Sequence, residues 1–278
     1  MYKISKGHNI AYISSVGATV LSLVLHREEV LKRKYDRYVT HGGMSVLIPY
    51  PDVIKDATYS FEGVTYKLPK NAAYEGNYKD SMHGLVRDKK WEIIENKSDK
   101  IVLRHVLNNR KFYPTTVLVK ASYLITYKKF SAVYEVSNIG DKNAPLNCGL
   151  HPYFLFNEYW RINLKRPVRH ISNVFTNTPK IDDDLIYYFS SNDNKQYDDT
   201  YCCSSFFLFE TKNKAIKLIT HNMKFFEIYT GKYAEGKSVA IEPMMGPPNN
   251  FNSKLGLKIL KPRETYTCSL LIHLIPRI

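Results

Sequence analysis

The sequence predicts an all-β protein built as a large antiparallel β-sandwich. Runs rich in β-branched and aromatic residues alternate apolar with polar side chains, and turn residues punctuate them. No segment of helical length carries a convincing 3.6-residue apolar period. Such alternation lets one face of each strand be buried while the other meets water, as a sandwich requires.

Along the chain, residues 10–25 come first, a mostly apolar run preceded by Lys3 and Lys6 that superficially matches a secretory leader. Ser14, Ser15, Gly17 and Thr19 interrupt the run, and it is too short to span a bilayer. His26-Arg27-Glu28-Glu29 follows without a small-residue cleavage site. Two strands meeting at Val16-Gly17-Ala18 explain the stretch better, and a cytoplasmic location is expected. Residues 58–61 and 64–68 flank Glu62-Gly63 and read as a hairpin around a glycine turn. Further strands are expected over residues 91–95, 101–107, 115–127, 131–137, 205–209, 216–220, 225–229, 238–241 and 265–274. Asn96 to Asp99, Asn138-Ile139-Gly140 and Thr211-Lys212-Asn213 supply turns between them.

A hydrophobic content of 44% with 13% aromatic residues is ample for a core and unlike a disordered chain. The 13 glycines and 13 prolines are scattered, with no linker, charge block or internal repeat, so residues 1–278 read as a single domain. Forty Lys and Arg against 26 Asp and Glu leave a formal charge of +14, which favours acidic partners such as nucleic acid or phosphorylated sugars. The basic residues are interleaved with acids and aromatics, as in Lys89-Lys90-Trp91-Glu92, and read first as solvated faces. No nucleic-acid-binding pattern is visible, and neither a nucleic-acid nor a membrane partner is expected. Cys148, Cys202, Cys203 and Cys268 form no CxxC pair, so reduced, buried thiols are expected and a metal site is not. The adjacent Cys202 and Cys203 should point to opposite faces of a strand.

Three blocks carry the chemistry. They are Met82-His83-Gly84-Leu85-Val86-Arg87, then Cys148-Gly149-Leu150-His151-Pro152-Tyr153-Phe154, then Ile241-Glu242-Pro243, with Lys261-Pro262-Arg263-Glu264-Thr265 before a last apolar strand. In this order and over most of the chain, they resemble the aldose 1-epimerase family. The resemblance implies the extended sandwich topology of galactose mutarotases, a sugar cleft on one sheet, and interconversion of the α and β anomers of a hexose. That reaction needs a base for the C1 hydroxyl proton and an acid for the ring oxygen, with roles reversed on reclosure. By this resemblance Glu242 is the base and His151 the acid, while His83 and Asp198 hold sugar hydroxyls. Pro243 and Pro152 keep Glu242 and His151 out of the helical region, and an imidazole suits proton exchange near neutrality. Asp198 lies in Tyr197-Asp198-Asp199-Thr200-Tyr201, where either carboxylate can accept two hydrogen bonds from vicinal hydroxyls, and Asp198 is favoured. Arg87 is a further substrate-contact candidate.

One departure stands out. The family usually carries a sugar-binding arginine after an early glycine pair, but here Gly42-Gly43 leads to Pro51-Asp52-Val53-Ile54, with Val53 at that place. Two alternatives therefore accompany the mutarotase reading. One is a hexose-6-phosphate 1-epimerase using Arg87 for phosphate, and the other is a non-catalytic carbohydrate-binding protein of the same fold. A small-molecule sugar is the expected partner, no metal or cofactor is required, and a monomer or a homodimer fits equally.

Overall fold

A computed structural model of the protein describes residues 1–33, 40–72 and 78–276. Strands dominate it, and the fold is a large antiparallel β-sandwich. One sheet runs from Tyr2–Lys6 through Asn9–Ile13 and Val20–Leu25 to Met44–Leu47. It continues through Gly149–Leu155, Ser238–Met244, Phe225–Tyr229 and Asp198–Cys202. The other sheet runs from Glu92–Asn96 through Lys100–Leu107, Val117–Ile125, Lys129–Asn138, Thr265–Pro276, Lys214–His221 and Phe206–Thr211.

Trp160–Ser172 belongs to both sheets. Its first half pairs with Phe206–Thr211 and with Ile186–Ser190, and Arg169 and His170 pair with Cys202 and Tyr201. The register breaks between Asn163 and Val168, where the strand leaves one sheet for the other.

The alternation seen in the sequence is the burial pattern of the second sheet. In Val117–Ile125 every second residue is fully buried, from Val117 through Val119, Ala121 and Tyr123 to Ile125. These side chains pack against the first sheet, and Tyr123 reaches across to donate its hydroxyl proton to the carbonyl of Ala18. Trp91, Tyr113, Phe130, Phe154, Phe207 and Phe209 are among the largest buried side chains, so the aromatic content is spent largely on the core.

The early apolar run forms Asn9–Ile13 and Val20–Leu25 with the turn at Gly17 between them, and Thr58–Phe61 pairs with Val64–Lys67 as a hairpin. Gly17 has no tolerable replacement, because a Cβ there would lie 2.0 Å from the carbonyl oxygen of Arg87. The expected end of one strand at residue 241 is too early, since Ser238–Met244 runs through Glu242 and Pro243. Among the described residues helix is confined to short turns, the α-helical one being Asn250–Ser253. Among the described residues no helix is long and apolar enough to cross a membrane.

The cysteines need one correction. Cys148, Cys202 and Cys268 are buried, but Cys203 is exposed. Nor do Cys202 and Cys203 point to opposite faces: the strand ends at Cys202, Cys203 turns to φ 81°, and the two sulfurs stand 3.0 Å apart.

Candidate active site

Strand register assembles the cleft. Gly149 pairs with Met244 and Tyr153 with Ala240, which sets His151 opposite Glu242 even though Pro152 and Pro243 leave no amide hydrogens there. Glu242 pairs with Glu227, and Glu227 with Thr200. Two residues further along, Tyr153, Ala240, Tyr229 and Asp198 form a parallel row. A two-residue period puts both rows on the same face of the sheet. That face is the floor of a cleft of about 670 Å³, lined also by Asp52, His83 and Arg87.

The strand carrying His151 is pinned to the one carrying Glu242. Asn147 donates from Nδ2 to the carbonyl of Gly246 at 3.0 Å and accepts the Gly246 amide at Oδ1, also at 3.0 Å. The Met245 amide donates to the carbonyl of Cys148. Gly149 is required beside this lock, since a Cβ would meet Pro51 at 2.5 Å.

At the centre, His151 Nε2 lies 3.3 Å from Glu242 Oε1, with both side chains buried. The His151 ring stacks on Tyr153 at 4.7 Å and meets the His83 ring edge-on at 5.3 Å. His83 and His151 each keep a buried Nδ1 with no hydrogen-bond partner among the described residues. His83 is presented by a backbone clamp in which its amide donates to the carbonyl of Asp52 at 2.7 Å and Leu85 donates to Ile48 at 2.8 Å. Gly84, at φ +76°, closes this clamp, and a Cβ would sit 2.3 Å from the Ile48 oxygen.

Burial decides the charge state. Desolvation, with the neighbouring His41 and Arg87 adding repulsion, pushes the His151 imidazole down to about 3. Desolvation, with Asp52 and Asp198 nearby, holds Glu242 well above the ordinary carboxylate range. The contact has the separation of an ion pair, yet both shifts favour uncharged partners. Both shifts thus favour a neutral imidazole beside a protonated carboxyl, with one proton shared by the pair. His83 is likewise pushed down by burial and by the adjacent His151.

All five residues singled out from the sequence, His83, Arg87, His151, Asp198 and Glu242, line this cleft. Of the two adjacent aspartates, Asp198 stands in the floor row opposite Tyr229. Asp199 lies at the cleft edge, 2.7 Å from Lys195 Nζ and 3.7 Å from His170 Nε2. Arg87 has no carboxylate within ion-pair distance among the described residues. Val53 is fully buried and is not among the residues lining the cleft, whereas its strand partner Met82 and its neighbour Asp52 both line it.

Two carboxyls escaped the sequence reading. Burial and the nearby Asp198 raise Asp52 to about 7, and Glu227 is raised well above its usual range by burial and by Asp52 and Glu242. Glu227 had a readable signal, a lone acid in the otherwise apolar and aromatic strand Phe225–Tyr229. Asp52 had none, since Pro-Asp in a loop is an ordinary turn.

A long antiparallel sandwich whose cleft couples a buried histidine to a buried glutamate defines a class of sugar-epimerase-like proteins. The chain belongs to the aldose 1-epimerase family, whose sequence model matches residues 1–273. It is 26% identical to the uncharacterised Escherichia coli K12 protein YihR, in an alignment covering 93% of this chain and 88% of that one. Its fold is similar to that of a GalM/aldose epimerase homologue from C. elegans, with a TM-score of 0.83 at 14% identity, covering 100% of this chain and 99% of the other. A galactose mutarotase-like protein from Lactobacillus casei aligns with a TM-score of 0.81 at 18% identity, over 99% of this chain and 100% of that one.

Proposed function

We propose that the protein is an aldose 1-epimerase that interconverts the α and β anomers of an unphosphorylated hexose. The observation that carries this reading is the 3.3 Å contact of His151 with Glu242 on the floor of a deep cleft. Binding alone does not call for a proton held between an acid and a base.

In the proposed cycle the C1 hydroxyl docks against Glu242 and the ring oxygen against His151. Sugar hydroxyls donating to Glu242 favour its carboxylate form, and its proton passes across the short contact to the imidazole. Glu242 then takes the C1 hydroxyl proton while the bond from C1 to the ring oxygen breaks, and His151 protonates that oxygen. After rotation about the C1–C2 bond the open aldehyde recloses on its other face, with both proton transfers reversed. His83, Asp198 and Arg87 hold the remaining hydroxyls and fix the ring plane.

A neutral sugar is favoured over a phosphorylated one by the makeup of the cleft's described lining, which offers carboxyls for sugar hydroxyls and few cations for a phosphate. Asp52, Asp198, Glu227 and Glu242 all face the cleft, against Arg87 as the guanidinium among the described lining residues. The test is optical rotation of freshly dissolved α-D-glucose and α-D-galactose with and without protein, and a coupled assay with glucose 6-phosphate. Acceleration on the free sugars that disappears in Glu242→Gln is the expected result. A response to the phosphate ester alone would replace this reading with the phosphosugar one. No response from any of the three, with sugar binding retained, would leave a carbohydrate-binding protein.

A further inference from the structure

The four cysteines sort into two sulfur contacts, Cys148 with Cys268 at 2.8 Å and Cys202 with Cys203 at 3.0 Å. The first pair is unlike the second in every respect that matters to a cross-link. Cys148 and Cys268 are 0% and 1% exposed, and they lie 120 positions apart in the chain. Cys202 and Cys203 are neighbours, so joining them closes no loop of chain.

We propose that Cys148 and Cys268, free thiols in this structure and expected from the sequence to be reduced, form on oxidation a disulfide that ties the sheet bearing the cleft to the sheet behind it. Cys268 lies in Thr265–Pro276, the strand between Lys129–Asn138 and Lys214–His221 in the rear sheet. Cys148 directly precedes Gly149–Leu155, and its backbone is bonded to Met245 at the end of the strand that carries Glu242. Both thiols already point into the space between the sheets. Bond formation requires the sulfurs to close by about 0.8 Å, to the ~2.05 Å of a disulfide. The link therefore braces, through one residue, the two strands that present His151 and Glu242.

The chemistry balances with a small-molecule disulfide as oxidant. The thiolate of one cysteine attacks it and releases one small thiol. The second cysteine, as thiolate, attacks the resulting mixed disulfide and releases the other. Two protein thiols and one small disulfide become one protein disulfide and two small thiols. The closed core sets the timing. The contact with Cys268, together with burial, holds the Cys148 thiol protonated far above its usual range, and neither sulfur is open to solvent. Exchange thus happens before the sheets close on each other, and the finished bond is then shielded from reductants in the folded protein.

The test uses the full chain refolded in a buffer of oxidised and reduced glutathione. Free thiols are alkylated in guanidinium chloride, and the peptides are mapped by mass spectrometry without reduction. A cross-linked peptide pair containing Cys148 and Cys268, about 2 Da lighter than the summed thiol peptides, is expected. Reductant should abolish it in guanidinium chloride but not in the folded protein. The oxidised form should melt roughly 5–10 °C above the fully reduced form, given the long loop closed, and Cys268→Ala should lose this dependence on reductant. The mapping needs no variant, so it stands even if Cys268→Ala does not fold. Alkylation of both Cys148 and Cys268 without reduction would overturn the proposal, as would a cross-link found only between Cys202 and Cys203. Equal melting of the two redox forms would overturn the bracing role.

Discussion

At the scale of single residues, the cleft is decided by what burial does to His151 and Glu242. In water a histidine beside a glutamate is an ion pair at neutral pH, but here desolvation moves the imidazole down to about 3 and the carboxyl up. One proton then serves two groups over a wide range of pH. Activity should fall on the acid side only where a second proton arrives, well below the ordinary histidine value of ~6.5. On the alkaline side it should fall where the single proton is lost, above the ordinary carboxylate range. The expected profile of kcat/KM, after subtraction of the spontaneous reaction, is a plateau extending through neutrality. A narrow maximum confined between the two ordinary values, ~4.3 and ~6.5, would show that the pair titrates as if exposed. His151→Asn should lower kcat by about 10²–10⁴-fold, the usual worth of a general acid, with little change in KM. An unchanged kcat would transfer the acid role to His83, the ring that lies edge-on to it at 5.3 Å.

At the scale of elements, legibility followed burial. Val117–Ile125 and Lys129–Asn138 have one face in the core and one towards water, and their alternation was plain in the sequence. The strands of the site have no such signature. Ser238–Met244 is buried at every position and Gly149–Leu155 at all but the last, so their apolar runs carry no period of two, and each contains a proline. Trp160–Ser172 changes sheets at its register break and loses any single period there. His151 and Glu242 were therefore legible only through the residue blocks around them, not through the pattern of their strands. Asp198 entered the same way, as part of an acidic-aromatic run. The clamp that presents His83 was invisible, because it depends on the backbone of residues 48–52. Its role has a direct test in two glycines with similar φ. Gly84→Ala places a methyl 2.3 Å from a backbone carbonyl, whereas at Gly63, φ +78°, nothing lies within 4 Å. Gly63→Ala should cost about 1 kcal/mol from backbone strain. Gly84→Ala should cost about 2–4 kcal/mol, adding displacement of packed backbone, and should also raise KM by moving His83. Equal loss of melting temperature in the two variants would remove the clamp from the account.

At the scale of the whole molecule, the cleft is a region that the sandwich stabilises at its own expense. Asp52, Glu227 and Glu242 are buried acids whose ionised forms are disfavoured, and His83 and His151 are buried bases whose protonated forms are disfavoured. The two sets act in opposite directions as pH changes. A depressed histidine contributes stability above its unfolded value of ~6.5, and that contribution fades as pH falls towards its folded value. A raised carboxyl contributes stability below its unfolded value, and that contribution is lost as pH rises through its folded value. Asp52 makes the second effect measurable, because burial first, and then the charges of Asp198 and Asp80, move its value from 3.8 to about 7. An asparagine in its place keeps the shape and the backbone carbonyl that accepts the His83 amide, but it has no proton to lose. Asp52→Asn should therefore melt close to the parent at pH 4 and above it at pH 8, with the gap opening between those limits. Thermal unfolding of both proteins across that range supplies the comparison, and titration of the distant groups cancels in the difference. A gap that is constant with pH, or that widens towards acid, would mean that Asp52 is already ionised and paired in the folded cleft.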